Sequence, residues 1–150
     1  MGPTEEPIGL FVTRTARTLG RSFDSALGAH DLNLASWLVL ASLAGGLRRT
    51  QRSIAEDLGI EGATLTYHLN RMETLGLVGR ERDPTDKRVQ QVELTDAGRS
   101  VFFTVLATVQ DFDRQLRGGF SDRELSTLRK LLGRLADNAT QATANKETTS

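Results

Sequence analysis

The stretch from Thr50 to Leu94 constrains the fold more than any other part of the sequence. It opens with a short helical pattern in which Thr50 can cap the first turn, Ile54, Ala55 and Leu58 share one face, and Gly59 stops the helix. Only Gly59-Ile60-Glu61-Gly62 separates it from a second pattern, with Leu65, Leu69, Met72 and Leu75 on one face and Gly76 at its end. Two extended segments follow, Leu77–Arg82 and Val89–Leu94, joined by Asp83-Pro84-Thr85-Asp86-Lys87-Arg88, which is turn chemistry. Short helix, tight turn, amphipathic helix and hairpin thus lie in immediate succession.

The flanks are helical. Ile8, Val12, Ala16, Leu19, Phe23 and Leu27 step by three or four residues, predicting a first helix that closes near Gly28. Asn33 can cap a second helix that runs to about Ala44, where Gly45-Gly46 stops it. It contains Trp37-Leu38-Val39-Leu40 and is apolar nearly all round, so it belongs at the centre of the core. Thr95-Asp96 opens a long helix with Phe102, Leu106, Val109, Phe112 and Leu116 on one side, broken at Gly118-Gly119. Ser121-x-x-Glu124 is a capping box for a last helix carrying Leu125, Leu128, Leu132 and Leu135. From about Ala139 the chain is polar and small, which predicts a frayed tail. The three prolines, Pro3, Pro7 and Pro84, all avoid these helices.

Several function classes lose support. The chain of 150 residues has no cysteine, which removes disulfides, thiolate metal sites and thiol switching. His30 and His68 are too far apart in sequence to suggest a metal pair, and no cofactor is expected. No GxSxG, GxxxxGK[ST] or clustered Ser/His/Asp pattern points to catalysis, so the expectation is a protein that is not an enzyme. The acidic stretch Met1–Pro7 lacks the basic start of a secretory signal, and Leu34–Leu47 is too short to span a bilayer. A cytoplasmic location follows as an expectation.

A helix, a tight turn and a second helix make a helix-turn-helix, and a hairpin directly after it makes the winged variant. The segment Arg80–Gly98, with its Asp-Pro-x-Asp-x-Arg turn and Leu-Thr-x-x-Gly helix start, resembles the wing of the MarR family of bacterial regulators. The preceding helix-turn-helix resembles that family too, and the outer helices do so more loosely. The pattern departs from the family at Glu61-Gly62, where a small uncharged polar cap is usual.

The expected fold is therefore mainly α: a winged helix-turn-helix with a two-stranded wing over residues 33–98. The first helix (1–32) and the last helices (99–140) flank it, with a flexible tail at 141–150. The resemblance implies that the flanking helices of two subunits form a homodimer. It also implies a small-molecule pocket between the dimerisation and DNA-binding parts, for which Phe11, Arg14, His30 and Trp37 are candidates.

A recognition helix presents its N-terminal, outward side chains to base edges in the major groove of double-stranded DNA. With Leu65, Leu69 and Met72 inward, that set is Thr64, Thr66, Tyr67, Asn70 and Arg71, beside Ala63. Asn70 can pair bidentately with adenine, and Arg71 can reach guanine or a phosphate. Arg88, at the wing tip, suits the negative potential of the minor groove, with Asp86 as its partner. Thr50, Gln51 and Arg52 at a helix start, together with Arg80, Arg82 and Lys87, are candidate phosphate contacts. Two such helices related by a twofold axis imply a pseudopalindromic operator, and by resemblance a repressor whose affinity a ligand modulates.

The charge balance complicates this reading. Nineteen basic residues face nineteen acidic ones, whereas nucleic-acid domains usually carry a basic excess. Any positive face must come from arrangement, and the alternative is a winged helix used for protein–protein contact.

Overall fold

The computed structural model describes residues 6–147. Residues 1–5, the start of the Met1–Pro7 stretch, and the end of the tail, 148–150, lie outside the described residues.

Helix α1 (Ile8–Leu27) starts directly after Pro7, whose carbonyl accepts from the amides of Leu10 and Phe11. A 3₁₀ turn, Gly28–His30, ends at Asp31, the one described non-glycine residue with a left-handed backbone (φ 56°). Asn33 Oδ1 then accepts from the Ser36 amide at 2.9 Å and starts α2 (Leu34–Leu43). Strand β1 (Arg49–Thr50) leads straight into α3 (Gln51–Leu58), capped by Thr50 Oγ1 on the Ser53 amide at 3.0 Å and closed by Gly59 at φ 63°. Helix α4 (Gly62–Thr74) has Glu61 at its N-cap with no side-chain bond to the first turn. A carboxylate that does not cap is the local counterpart of the Glu61-Gly62 departure seen in the sequence.

Strands β2 (Val78–Arg82) and β3 (Gln90–Leu94) form the antiparallel wing, in register from Val78 opposite Leu94 to Arg82 opposite Gln90. The sheet has a third strand: β1 pairs antiparallel with the other edge of β3, Arg49 opposite Val92, giving the order β1-β3-β2. Two residues carry no readable alternation, so β1 is invisible to periodicity.

The core is built around α2, as its all-round apolar pattern requires. Trp37, Val39, Leu40 and Leu43 are buried with Leu27, Ile54, Leu65, Leu69, Met72, Val92 and Val105. Trp37 stacks on Phe102 with ring centroids 5.1 Å apart, and Phe23 meets Phe112 edge-on at 4.8 Å. Leu75, expected inward, is exposed, because α4 has already ended and the chain turns at Gly76 (φ 70°).

The chain divides into two compact units, Met1–Phe112 and Asp113–Ser150, with the boundary inside α5 (Asp96–Leu116). In the second unit, α6 (Asp122–Glu147) starts with the expected capping box: Ser121 Oγ accepts from the Glu124 amide, and Glu124 Oε2 accepts from the Ser121 amide at 2.7 Å. These bonds hold the Glu124 carboxyl below its ordinary range. The helix continues past Ala139, where the composition predicts fraying, to Glu147. Thr140 and Thr143 donate to the carbonyls of Ala136 and Ala139, satisfying their hydroxyls along the helix.

One contact locks the wing to the helices. Gly98, in the first turn of α5, packs so closely on the start of β2 that an added Cβ would lie 1.9 Å from the Leu77 carbonyl oxygen. A Gly98→Ala substitution must displace backbone rather than a side-chain tip. It is expected to destabilise the protein by about 3 kcal/mol, read as a lowered urea midpoint, whereas Gly133→Ala, with open space around it, should not.

Candidate nucleic-acid interface

Helices α3 and α4 and the wing enclose an open groove of about 1060 Å³. Its lining includes Thr50, Gln51, Arg52 and Glu56 on the α3 side, Glu61, Gly62 and Thr66 on the α4 side, and Arg88 on the wing side. The N-terminal turns of two helices therefore face the same space as the arginine of the wing.

The wing tip owes its shape to Asp83. Its Oδ1 accepts from the Thr85 hydroxyl at 2.5 Å, the Thr85 amide at 2.8 Å and the Asp86 amide at 3.2 Å, and its Oδ2 accepts from Gln91 at 3.2 Å. These donors, the Thr85 hydroxyl foremost, hold the Asp83 carboxyl far below the ordinary carboxylate range. Asp86 repeats the device one step on. It accepts from the Arg88 side chain and from the Arg88 amide, each at 3.1 Å, and both lower its pKa. Arg88 is thereby aimed while its side chain stays 91% exposed. Asp83 was not among the sequence candidates, although an Asp before Pro-x-Asp is the signal of such a turn.

The α4 candidates separate into two groups. Thr64, Tyr67 and Asn70 are exposed on the outer face, Tyr67 at 66%. Thr66 is bound internally: its hydroxyl donates to the Gly62 carbonyl at 2.9 Å and accepts from Gln51 Nε2 at 2.6 Å. Gln51 and Thr66 thus tie α3 to α4, and the single hydroxyl proton of Thr66 is already used. Arg71 turns away from the groove, with Nη2 on the Asp31 carbonyl at 3.3 Å.

Of the expected phosphate ligands, Thr50 is occupied as the α3 cap, and Arg80 is held by Glu73 and Asn70 with its side chain only 18% exposed. Arg52 pairs with Glu56 one turn on, although both stay exposed. Elsewhere Arg48 grips Glu93 bidentately and reaches Glu81, which raises its pKa, and Arg49 pairs with Asp57. Among the described residues, Arg82 and Lys87 carry no ion pair. Together with the outward Arg88 they outnumber the Asp83 and Asp86 carboxylates at the end of the wing by one, on a chain that is neutral overall.

Of the four pocket candidates, Phe11 and Arg14 lie together on α1, while Trp37 and His30 pack against α5. Trp37 is core, stacked on Phe102; His30 Nε2 lies 3.1 Å from the Thr108 hydroxyl. Phe11 is exposed on α1 with the Arg14 guanidinium 5.9 Å over its ring, and Arg14 also pairs with Glu6. A different cleft, of about 390 Å³, opens between the end of α1, the start of α2 and α4, lined by Asp24, Leu34, Leu38, Ile60 and His68. Among the described residues no cluster of three or more His, Asp or Glu is placed to hold a metal, and no helix is long and apolar enough to cross a membrane.

Comparison with known proteins gives a consistent answer. Residues 30–89 match the family model described as MarR family. The apo wild-type MarR of E. coli is 26% identical over 87% of this chain and 97% of its own, with a TM-score of 0.70. A mutant E. coli MarR complexed with operator DNA is 27% identical over 86% of this chain and 93% of its own, with a TM-score of 0.79. A probable transcriptional regulator from Pseudomonas aeruginosa is 28% identical over 87% of this chain and 97% of its own, with a TM-score of 0.77.

The wing turn should follow its carboxylates. Both Asp83 and Asp86 have lowered pKa values, so their bonds contribute fully above the ordinary carboxylate range and are lost only as pH falls through the lower folded values. Asp83→Ala is expected to make the Thr85 and Asp86 amides exchange roughly tenfold faster by NMR. This difference from the parent should persist between about pH 5 and 8 and shrink in strong acid.

Proposed function

We propose that this chain, whose residues 30–89 match the MarR family model, is a member of that family and a sequence-specific DNA-binding transcriptional regulator acting as a homodimer on a pseudopalindromic operator. The observation that carries this reading is the groove shared by the α3 and α4 N-termini and Arg88, with the positive end of the wing beside it. A duplex backbone laid along that groove puts α4 in the major groove and the wing tip in the adjacent minor groove. The E. coli MarR solved with operator DNA supports the same use of the fold.

In this reading residues 33–98 bind DNA. Thr64, Tyr67 and Asn70 face base edges, Arg88 enters the minor groove, and Arg52, Arg82 and Lys87 meet phosphates. The flanking parts, 1–32 and 99–140, dimerise. Ile8, Leu10, Phe11 and Leu19 on α1, Phe103 on α5, and Leu128 and Leu131 on α6 are exposed apolar residues that a second copy would cover. Bound across an operator, the dimer represses by excluding other proteins from that DNA. A small-molecule effector modulates it, and the cleft beside His68 of α4 is the place from which a ligand could shift that helix. The reading involves no catalytic step and places the protein in the cytoplasm with its DNA.

The test is a titration of duplexes selected from a random pool, followed by anisotropy at several salt concentrations. Wild type should show a steep negative slope of log K against log salt. Arg88→Ala should reduce that slope by about 0.9, the value of one phosphate equivalent. Absence of duplex binding, or binding without salt dependence, would overturn the proposal in favour of a protein-interaction module. Light scattering should return twice the mass of one chain, and a stable monomer at micromolar concentration would remove the dimer from the proposal.

A further inference from the structure

Asn70 and Arg80 come from different elements, the outer face of α4 and the strand that begins the wing. Their side chains meet, with Arg80 Nη2 donating to Asn70 Oδ1 at 2.6 Å. The same guanidinium donates to Glu73 Oε2 through Nε at 3.1 Å and Nη2 at 2.5 Å. Arg80 is the enclosed member of its strand end: its side chain is 18% exposed, while the neighbouring Glu81 and Arg82 are exposed.

This contact fixes a direction as well as a distance. A guanidinium has only donors, and a carboxamide has one acceptor end and one donor end. The end of Asn70 that faces Arg80 must therefore be Oδ1, and Nδ2 is the end left for other partners. Without Arg80 the two ends could exchange by a half-turn about the last side-chain bond. Glu73 lies three residues after Asn70 on the same helix and neutralises the guanidinium, so Arg80 serves the amide rather than a phosphate.

We propose that Arg80, held by Glu73, is a positioning residue for base recognition: it fixes the sense of the Asn70 amide and thereby makes Asn70 select adenine over guanine at one base pair of each half-site. The inference rests on the DNA-binding reading above. Adenine offers the major groove an acceptor, N7, beside a donor, N6–H, whereas guanine offers two acceptors, N7 and O6. An amide of fixed sense gives Nδ2–H to N7 and keeps the second lone pair of Oδ1 for N6–H. On guanine the same oxygen faces O6, acceptor against acceptor. An amide free to turn can put Nδ2 on O6 instead, and the discrimination falls.

The experiment measures competition between operators carrying each of the four base pairs at every position, for wild type, Arg80→Met, Arg80→Lys, Glu73→Gln, Asn70→Ala and the Arg80→Met/Asn70→Ala double variant. Methionine keeps the apolar stem and removes every donor. The expected result is that Arg80→Met lowers the adenine-to-guanine preference about tenfold at one position per half-site, leaves the others unchanged, and leaves the salt slope unchanged. Arg80→Lys restores part of the preference, because an ammonium also bonds only the oxygen. Glu73→Gln, which keeps Arg80 in place of any gap, gives a smaller loss at the same position. Asn70→Ala loses the same preference, and adding Arg80→Met to it costs nothing more. A uniform loss on all sequences with a slope reduced by about 0.9 would make Arg80 a phosphate contact and overturn the inference. So would an unchanged preference profile in Arg80→Met and Glu73→Gln alongside normal wild-type binding. Absence of salt-dependent duplex binding by the wild type would overturn the DNA-binding reading and this inference with it.

Discussion

Everything that aims the wing depends on one junction, where the end of α4, the start of β2 and the first turn of α5 share their backbone groups. The Leu77 carbonyl accepts from the Thr95 amide at 3.2 Å, and the Thr95 hydroxyl donates to the Gly76 carbonyl at 2.6 Å and accepts from the Gly98 amide at 3.0 Å. Gly98 has no Cβ, so the helix can lie directly on that carbonyl. A threonine that caps one helix while holding the end of another sets the angle between α4 and the hairpin without a long lever. The groove between them inherits its width from that angle.

The parts of this architecture that were legible in the sequence are those decided within three or four residues. Asn33, Thr50 and the Ser121–Glu124 pair each act as caps because a short polar side chain reaches an amide of its own first turn. The hairpin was readable from two short extended segments and the Asp-Pro turn between them. What stayed hidden needed distant partners. Strand β1 exists only because β3 offers it an edge, and the Arg71 contact with Asp31 spans 40 residues of chain. The outward set of α4 was correctly placed by periodicity for Thr64, Tyr67 and Asn70. Periodicity cannot tell a free hydroxyl from one already bonded, as Thr66 is to Gln51 and Gly62. A helical face names neighbours in a helix and not tertiary contacts, such as the stacking of Trp37 on Phe102.

The charge balance resolves in the same way. Zero net charge looks unfavourable for a nucleic-acid ligand while the charges are merely counted. Once Arg48, Arg49, Arg52 and Arg80 are matched with Glu93, Asp57, Glu56 and Glu73, Arg82, Lys87 and Arg88 outnumber Asp83 and Asp86 at the end of the wing by one. Most of these pairs are exposed and individually weak.

The tether on Arg88 also bears on how long a complex lasts. A free, fully exposed arginine samples many rotamers, and immobilising such a side chain costs roughly 0.5–1.5 kcal/mol on binding. Asp86 restricts that sampling beforehand, yet it lies only two residues away on the same turn and leaves the guanidinium open to solvent. Asp86 sets the direction of the arginine while its guanidinium stays open to a second anionic partner. In the DNA complex proposed above, an arginine aimed in advance would lower the ordering cost of its contact, an effect read in residence time.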